Sequence, residues 1–165
     1  MGAYLKLSTA IVVAGLCLTA CTSGSNVEAE AEVAKTVVDD FWRAIRDQDV
    51  DLLSRVIATD DELIVFGTDA QERWVGSSAF VSAEEQMMQA FDVESLNRRE
   101  ETLQIHSRGG VAWFSTVFDI EISVDGELAS LEGLRTTGVI EKRDGDWVIV
   151  QAHTSVPVSG QQIEY

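Results

Sequence analysis

Two Asp-Gly pairs, Asp125-Gly126 and Asp144-Gly145, constrain the fold of this chain more than any other feature. Each lies between long stretches rich in β-branched and aromatic residues. Asp-Gly supplies the positive φ angles that a two-residue hairpin loop requires. With the Gly109-Gly110 turn they mark strands over 95–107, 111–124, 127–143 and 146–158, and Pro157 ends the sheet. Upstream the periodicity changes. Val33, Val37, Phe41 and Ile45 recur at four-residue spacing, with Val38 and Trp42 beside them, which predicts a helix over 27–47. Asp49 caps a second, short helix carrying Leu52, Leu53, Val56 and Ile57. Segments 63–66 and 74–75 read as short strands. A third helix starts at Ser77 or Ser78, or later at a Ser82/Glu85 capping box, and turns Phe80, Met87, Met88 and Phe91 inward. Helices first and an antiparallel meander last is an α+β layout. The expected form is a cone: helices on one face of a strongly curved antiparallel sheet, with a pocket in its mouth.

The hairpin turns also predict a register. With two-residue loops, Val124 pairs with Glu127, Asp119 with Glu132, Val117 with Leu134 and Ser115 with Thr136; Thr136 then pairs with His153 and Gly138 with Gln151. Side chains alternate, so Trp113, Ser115, Val117, Thr136, Gln151, His153 and Ser155 share one face. Phe114, Phe118, Val139, Val148, Val150 and Ala152 share the other, with Arg135 among them. Small-molecule pockets are mostly apolar with a few convergent polar groups. The Trp113/His153 face fits that description better, which makes Trp113, Ser115, Thr136, Gln151 and His153 candidate ligand-binding residues; Trp74, which follows a turn, joins them as a pocket-rim residue or else packs. The Phe114/Val150 face then needs a second cover, and a homodimer through it is expected. His153 reads either as a core histidine bonded to Thr136 or Ser115, or as a polar anchor or base, since imidazole titrates near neutral pH.

The N-terminus carries an address. A short start with one cation, Lys6, precedes an apolar run over 7–20, and small Ala20 stands directly before Cys21. This is the layout of a secretory signal. The stretch Leu18-Thr19-Ala20-Cys21 resembles the lipobox of bacterial lipoproteins, which implies cleavage before Cys21 and its lipidation. The run is shorter than the roughly 20 apolar residues that span a bilayer. The expected organisation is a signal over 1–20, a polar tether over 21–26, one domain over 27–158 and a mobile tail over 159–165. The protein would lie in the cell envelope, held to a bacterial membrane on its extracytoplasmic side by acylated Cys21.

Composition excludes several classes. Net charge is −16, and removing the signal takes away one cation and no acid. So acidic a chain repels phosphate backbones, and nucleic acid is not an expected partner. Only two Cys and two His are present; Cys17 leaves with the signal and Cys21 is consumed by lipid. No transition-metal site is expected. There is no Walker loop, dinucleotide fingerprint or Gly-x-Ser-x-Gly elbow, and no cofactor is expected.

Three blocks carry a family resemblance: FGTDAQERWVG at 66–76, VAWFSTVF at 111–118 and GVIEKRDGDWVIVQAHTSVP at 138–157. They resemble the SnoaL-like branch of the nuclear transport factor 2-like superfamily over roughly residues 33–158. The last block is also similar to the association domain of calcium/calmodulin-dependent kinase. The resemblance implies a cone-shaped α+β fold, often dimeric, and no single activity. Two functions remain open. One is a lipoprotein that binds a small, partly apolar molecule in the cone without catalysis. The other is a lyase or isomerase of the ketosteroid isomerase type, with His153 or a carboxylate as base. The pocket Tyr of ketosteroid isomerase has no counterpart, because Tyr4 and Tyr165 lie in the signal and the tail.

Overall fold

A computed structural model describes residues 22–160. The signal over 1–20, Cys21 and residues 161–165 of the tail lie outside the described residues. Helix α1 spans Thr22–Asp47 and α2 spans Val50–Val56. Strands β1 (Ile64–Phe66) and β2 (Arg73–Val75) precede α3 (Ser77–Ala90). Then come β3 (Asp92–Arg98), a 3₁₀ turn (Glu100–Thr102) and β4 (Gln104–Arg108). The long meander follows: β5 (Val111–Val124), β6 (Glu127–Arg143) and β7 (Asp146–Ser155).

The helices follow from local chemistry. Ala34, Val37, Val38, Phe41, Trp42 and Ala44 form the buried stripe of α1. The stripe is centred one residue later than predicted, so Val33 is exposed. The segment expected as a tether is helical from Thr22; it holds no proline, and a helix nucleated by its packed part propagates into it. Asp49 caps α2 as predicted, its Oδ1 accepting from Leu52 N at 2.8 Å. Ser82 is not a cap: it sits inside α3, which begins at Ser77.

The sheet runs in the order β2-β1-β7-β6-β5-β3, with β4 also paired to β5. One pair, β1 with β7, is parallel in a sheet expected to be antiparallel throughout. The long connection between those strands permits either direction. The strand expected over 95–107 is two strands. Arg99 and Thr102 break it: Thr102 Oγ1 donates to Arg99 O at 2.7 Å and accepts from Val117 N at 2.9 Å, which closes the 3₁₀ turn between β3 and β4.

Both Asp-Gly loops close two-residue hairpins, with Val124 opposite Glu127 and Arg143 opposite Asp146. The predicted register holds only near these loops. It slips by one residue between Phe118 and Ile120 on β5, where β6 carries an extra residue, and again at Val150 on β7. Ser115 therefore faces Thr137, and Thr137 faces His153. Thr136 pairs with Thr116 and Thr154 and points the opposite way.

These slips and the position of the helices correct the expected faces. The inner face carries Ala112, Phe114, Thr116, Phe118, Leu134, Thr136, Ile140, Ile149 and Ala152, all buried beneath the helices. Its apolar character decides this: each buried Phe contributes about 1.5–3 kcal/mol over an exposed one. Trp113, Ser115, Val117, Thr137, Gln151 and His153 lie on the outer, convex face, where Trp113 is 46 % exposed. A homodimer through the Phe114/Val150 face is thus excluded, because the protein's own helices occupy it. Arg135, expected in that apolar layer, is exposed.

Candidate functional site

The concave face and the helices enclose a cavity of about 280 Å³. Its walls are apolar: Phe41 and Ile45 from α1, Phe80, Met87 and Met88 from α3, and Phe118, Ile120 and Leu134 from the sheet. Trp74 closes one side, its ring 5.7 Å from that of Phe80. Few polar groups reach the space. Gln48 Nε2 is already committed, donating to Met88 O at 3.2 Å and Phe91 O at 2.9 Å, which ties the end of α3 to α1. Thr154 on β7 bonds Thr136 at 2.9 Å between hydroxyls.

Two carboxyl groups line the cavity and differ in state. Glu72 is spoken for: its Oε2 accepts from Thr68 N at 2.6 Å and Asp69 N at 2.9 Å. It organises the loop after β1, and a Cβ at Gly67 would collide with that carboxylate. Asp69 shapes the same turn, its Oδ1 accepting from Gln71 N at 2.9 Å. Glu84 on α3 is part-buried and has no hydrogen bond or ion pair among the described residues. Burial pushes its carboxyl up to about 7, and the Glu72 charge adds to the rise. A carboxyl with that value in an apolar cavity accepts or donates a hydrogen bond near neutral pH, and it is matched to proton transfer there.

Of the six predicted ligand-binding residues, only Trp74 lines the cone cavity. Thr136 is buried behind it, with Thr154 as its partner. Trp113, Ser115, Gln151 and His153 come together as expected, but on the outer face. Trp113, Ser115 and Gln151 border a surface depression with His106, whose ring lies 5.8 Å from that of Trp113. His153 is exposed, with its ring edge against Phe66 at 5.7 Å. It does not reach the cone and cannot act as a base there. Glu84 escaped the sequence reading although a signal existed: Phe80, Glu84, Met87 and Met88 stand at helical spacing, so an acid interrupts an apolar stripe. Among the described residues no cluster of His, Cys, Asp and Glu could hold a metal ion. No helix among them is long and apolar enough to cross a membrane.

Comparison with known proteins agrees with the fold. The profile of a SnoaL-like domain matches residues 34–159. No curated protein matches the chain. Solved structures share the fold at low identity. A nuclear transport factor 2-like superfamily protein from Salmonella enterica is 17 % identical, with a TM-score of 0.67 over 87 % of this chain and 100 % of that one. A ketosteroid isomerase-like protein from Erwinia carotovora is 11 % identical, with a TM-score of 0.66 over 77 % and 95 %. A conserved protein from Planctomyces limnophilus is 20 % identical, with a TM-score of 0.65 over 79 % and 98 %.

Proposed function

This chain belongs to the SnoaL-like domain family, and from that premise we propose that its cone binds one small, largely apolar molecule and fixes it through the Glu84 carboxyl. The observation that carries the reading is one carboxyl, Glu84, without a partner among the described residues in a largely apolar cavity. Small-molecule sites have this composition, and about 280 Å³ lies just below their usual range of roughly 300–1,000 Å³. The ligand is therefore small and carries one group that hydrogen-bonds to a carboxyl. Native mass spectrometry of the purified protein tests this: a retained small molecule should appear in the wild type and be depleted in Glu84→Gln. Equal retention in both would remove Glu84 from the site.

A second reading rests on the raised Glu84 pKa. A carboxyl near 7 suits a lyase or isomerase that moves a proton to and from carbon. Against it, no tyrosine among the described residues lines the cavity, and Gln48 has spent its amide donors on backbone carbonyls. Stabilising a developing oxyanion is often the larger catalytic effect. The binding reading is therefore preferred.

The address belongs to the same proposal. Acylated Cys21 would hold the domain on the extracytoplasmic side of a bacterial membrane, since several acyl chains at about 0.8 kcal/mol per buried methylene bind firmly. Palmitate labelling of wild type and Cys21→Ser tests it; an unlabelled, fully soluble wild type would refute it. The convex face with exposed Val111 and Trp113 replaces the Phe114 face as the surface for a homodimer. Light scattering at micromolar concentration reads that directly, and a monomer would count against it.

A further inference from the structure

The cone has a charge pattern that narrows its ligand. Its lining holds two carboxyl groups, Glu72 and Glu84, and among the described residues no Lys, Arg or His. Arg73 stands beside Trp74 on β2 but outside the lining; its guanidinium lies over the Phe66 ring, 5.7 Å from the centroid. The amide and hydroxyl groups of the lining already have partners. Gln48 serves two backbone carbonyls, Thr154 is bonded to Thr136, and Thr68 Oγ1 donates to Glu72 Oε2 at 3.3 Å. Glu84 has no partner among the described residues. A ligand carboxylate or phosphate would find no counter-charge in this space, and two groups that repel it.

Much of the apolar wall is aromatic, in two groups. Trp42 packs on Phe41 and Phe118, with ring centroids 5.5 and 4.4 Å apart. Trp74 packs on Phe80, which precedes Glu84 by one turn of α3. An organic cation gains twice from such a wall: the ring quadrupoles attract its charge, and its apolar substituents are buried. The net charge of −16 adds a long-range attraction for cations.

We propose that the cone binds a small organic cation, a protonated amine with an apolar or aromatic body, its ammonium paired with the Glu84 carboxylate within the aromatic wall. This rests on the reading of the cone as a binding site and narrows the ligand to one class. Burial, with the Glu72 charge added, keeps the Glu84 carboxyl protonated below about 7 while the cone is empty. At lower pH, pairing expels that proton to solvent: a carboxyl and an ammonium become a carboxylate–ammonium pair and one free proton. Glu72, the other titratable side chain among the described lining residues, stays tied to the Thr68 and Asp69 amides.

A matched set of phenethylamine, phenethyl alcohol and phenylacetate tests this by isothermal titration calorimetry of the purified protein. At pH 8 the amine should bind about tenfold or more tighter than the alcohol, and phenylacetate should not saturate. At pH 6, titrations in buffers of different ionisation enthalpy should show about one proton released per amine bound and none per alcohol. Glu84→Gln should bring the amine down to the affinity of the alcohol and abolish the proton release. Trp74→Leu keeps an apolar wall and should weaken the amine more than the alcohol. Equal affinity of amine and alcohol, or amine uptake with no proton release at pH 6, overturns the proposal. The binding reading would survive that result if a retained neutral molecule were still depleted in Glu84→Gln. No saturable binding by any of the three also overturns the proposal, and equal retention in the native mass spectra would then remove the binding reading with it.

Discussion

The Asp119 carboxylate accepts a hydrogen bond from the Gly133 amide at 2.7 Å, across the point where β5 and β6 lose register. Gly133 stands at φ +70, a conformation that L side chains rarely adopt. Arg99 completes the arrangement, its Nη2 lying 2.6 Å from Asp119 Oδ1. The hydrogen bond from Arg99, then that from the Gly133 amide, holds the Asp119 carboxyl below the ordinary carboxylate range. A depressed folded pKa contributes stability that is present above the unfolded value of 3.8 and lost as pH falls through the folded value.

Gly133→Ala should therefore lower stability by about 1–2 kcal/mol, through the left-handed backbone alone. Asp119→Ala should speed hydrogen exchange of the Gly133 amide and remove this residue's share of the stability lost in acid. Urea denaturation and amide exchange measure the two effects. A Gly133→Ala protein as stable as wild type would show that the bulge can relax to an ordinary strand conformation.

Gly138 lies beneath the Phe114 ring. A Cβ there would sit 2.5 Å from Phe114 Cε1 and 2.8 Å from Gln151 O. Gly138→Ala should cost about 1–3 kcal/mol as an overpacked core site. Combining it with Phe114→Leu should cost less than the sum of the single changes, since one removes the atoms with which the other collides. Urea midpoints of the four proteins complete the cycle; strict additivity would mean that the ring does not oppose the Cβ.

The Gly138 contact also shows what was legible in the sequence. Element order, the capping of α2 by Asp49 and both Asp-Gly hairpins could be read because each depends on a few neighbouring residues. Register over a long strand does not. Each of the two slips shifts the pairing by one residue, and together they cancel between β5 and β7. Ser115 and His153 thus share a face as predicted, while Thr136 between them was assigned to the wrong one. Which face the helices cover is a separate question. Hydrogen-bonding groups favour one face, whereas burial selects the one carrying Phe114 and Phe118. Glu84 rather than His153 reaches the cavity because α3 is laid over the concave face.

His153 provides a direct contrast. It is exposed on the convex face, its ring 5.7 Å from that of Phe66 in an edge-on arrangement. His153→Ala should change stability by no more than about 0.5 kcal/mol and leave ligand retention in the cone unchanged. Denaturation and native mass spectrometry read both quantities. Loss of retained ligand in this variant would return the site to the outer face.

Glu84 carries the most specific pH prediction. Burial, with the Glu72 charge added, raises its folded pKa from 4.5 to about 7. For an acid shifted upward, the folded protein binds the proton more tightly than the unfolded chain. Its contribution is full below the unfolded value, declines as pH rises from about 4.5 to about 7, and is gone above that. The decline should reach about 2 kcal/mol once the partial solvent access of the side chain is allowed for. Glu84→Gln removes the titration, so the variant should be more stable than wild type at pH 8, with the advantage shrinking toward pH 5. Asp39 and Asp119 act in the opposite sense and at lower pH, because both are held below the ordinary carboxylate value. Their effect cancels when the two proteins are compared at the same pH. Urea midpoints at pH 5, 6, 7 and 8 give the difference curve. A difference that stays constant over that range would mean that Glu84 is already ionised at pH 5, and the neutral hydrogen-bonding carboxyl on which the binding site rests would be lost with it.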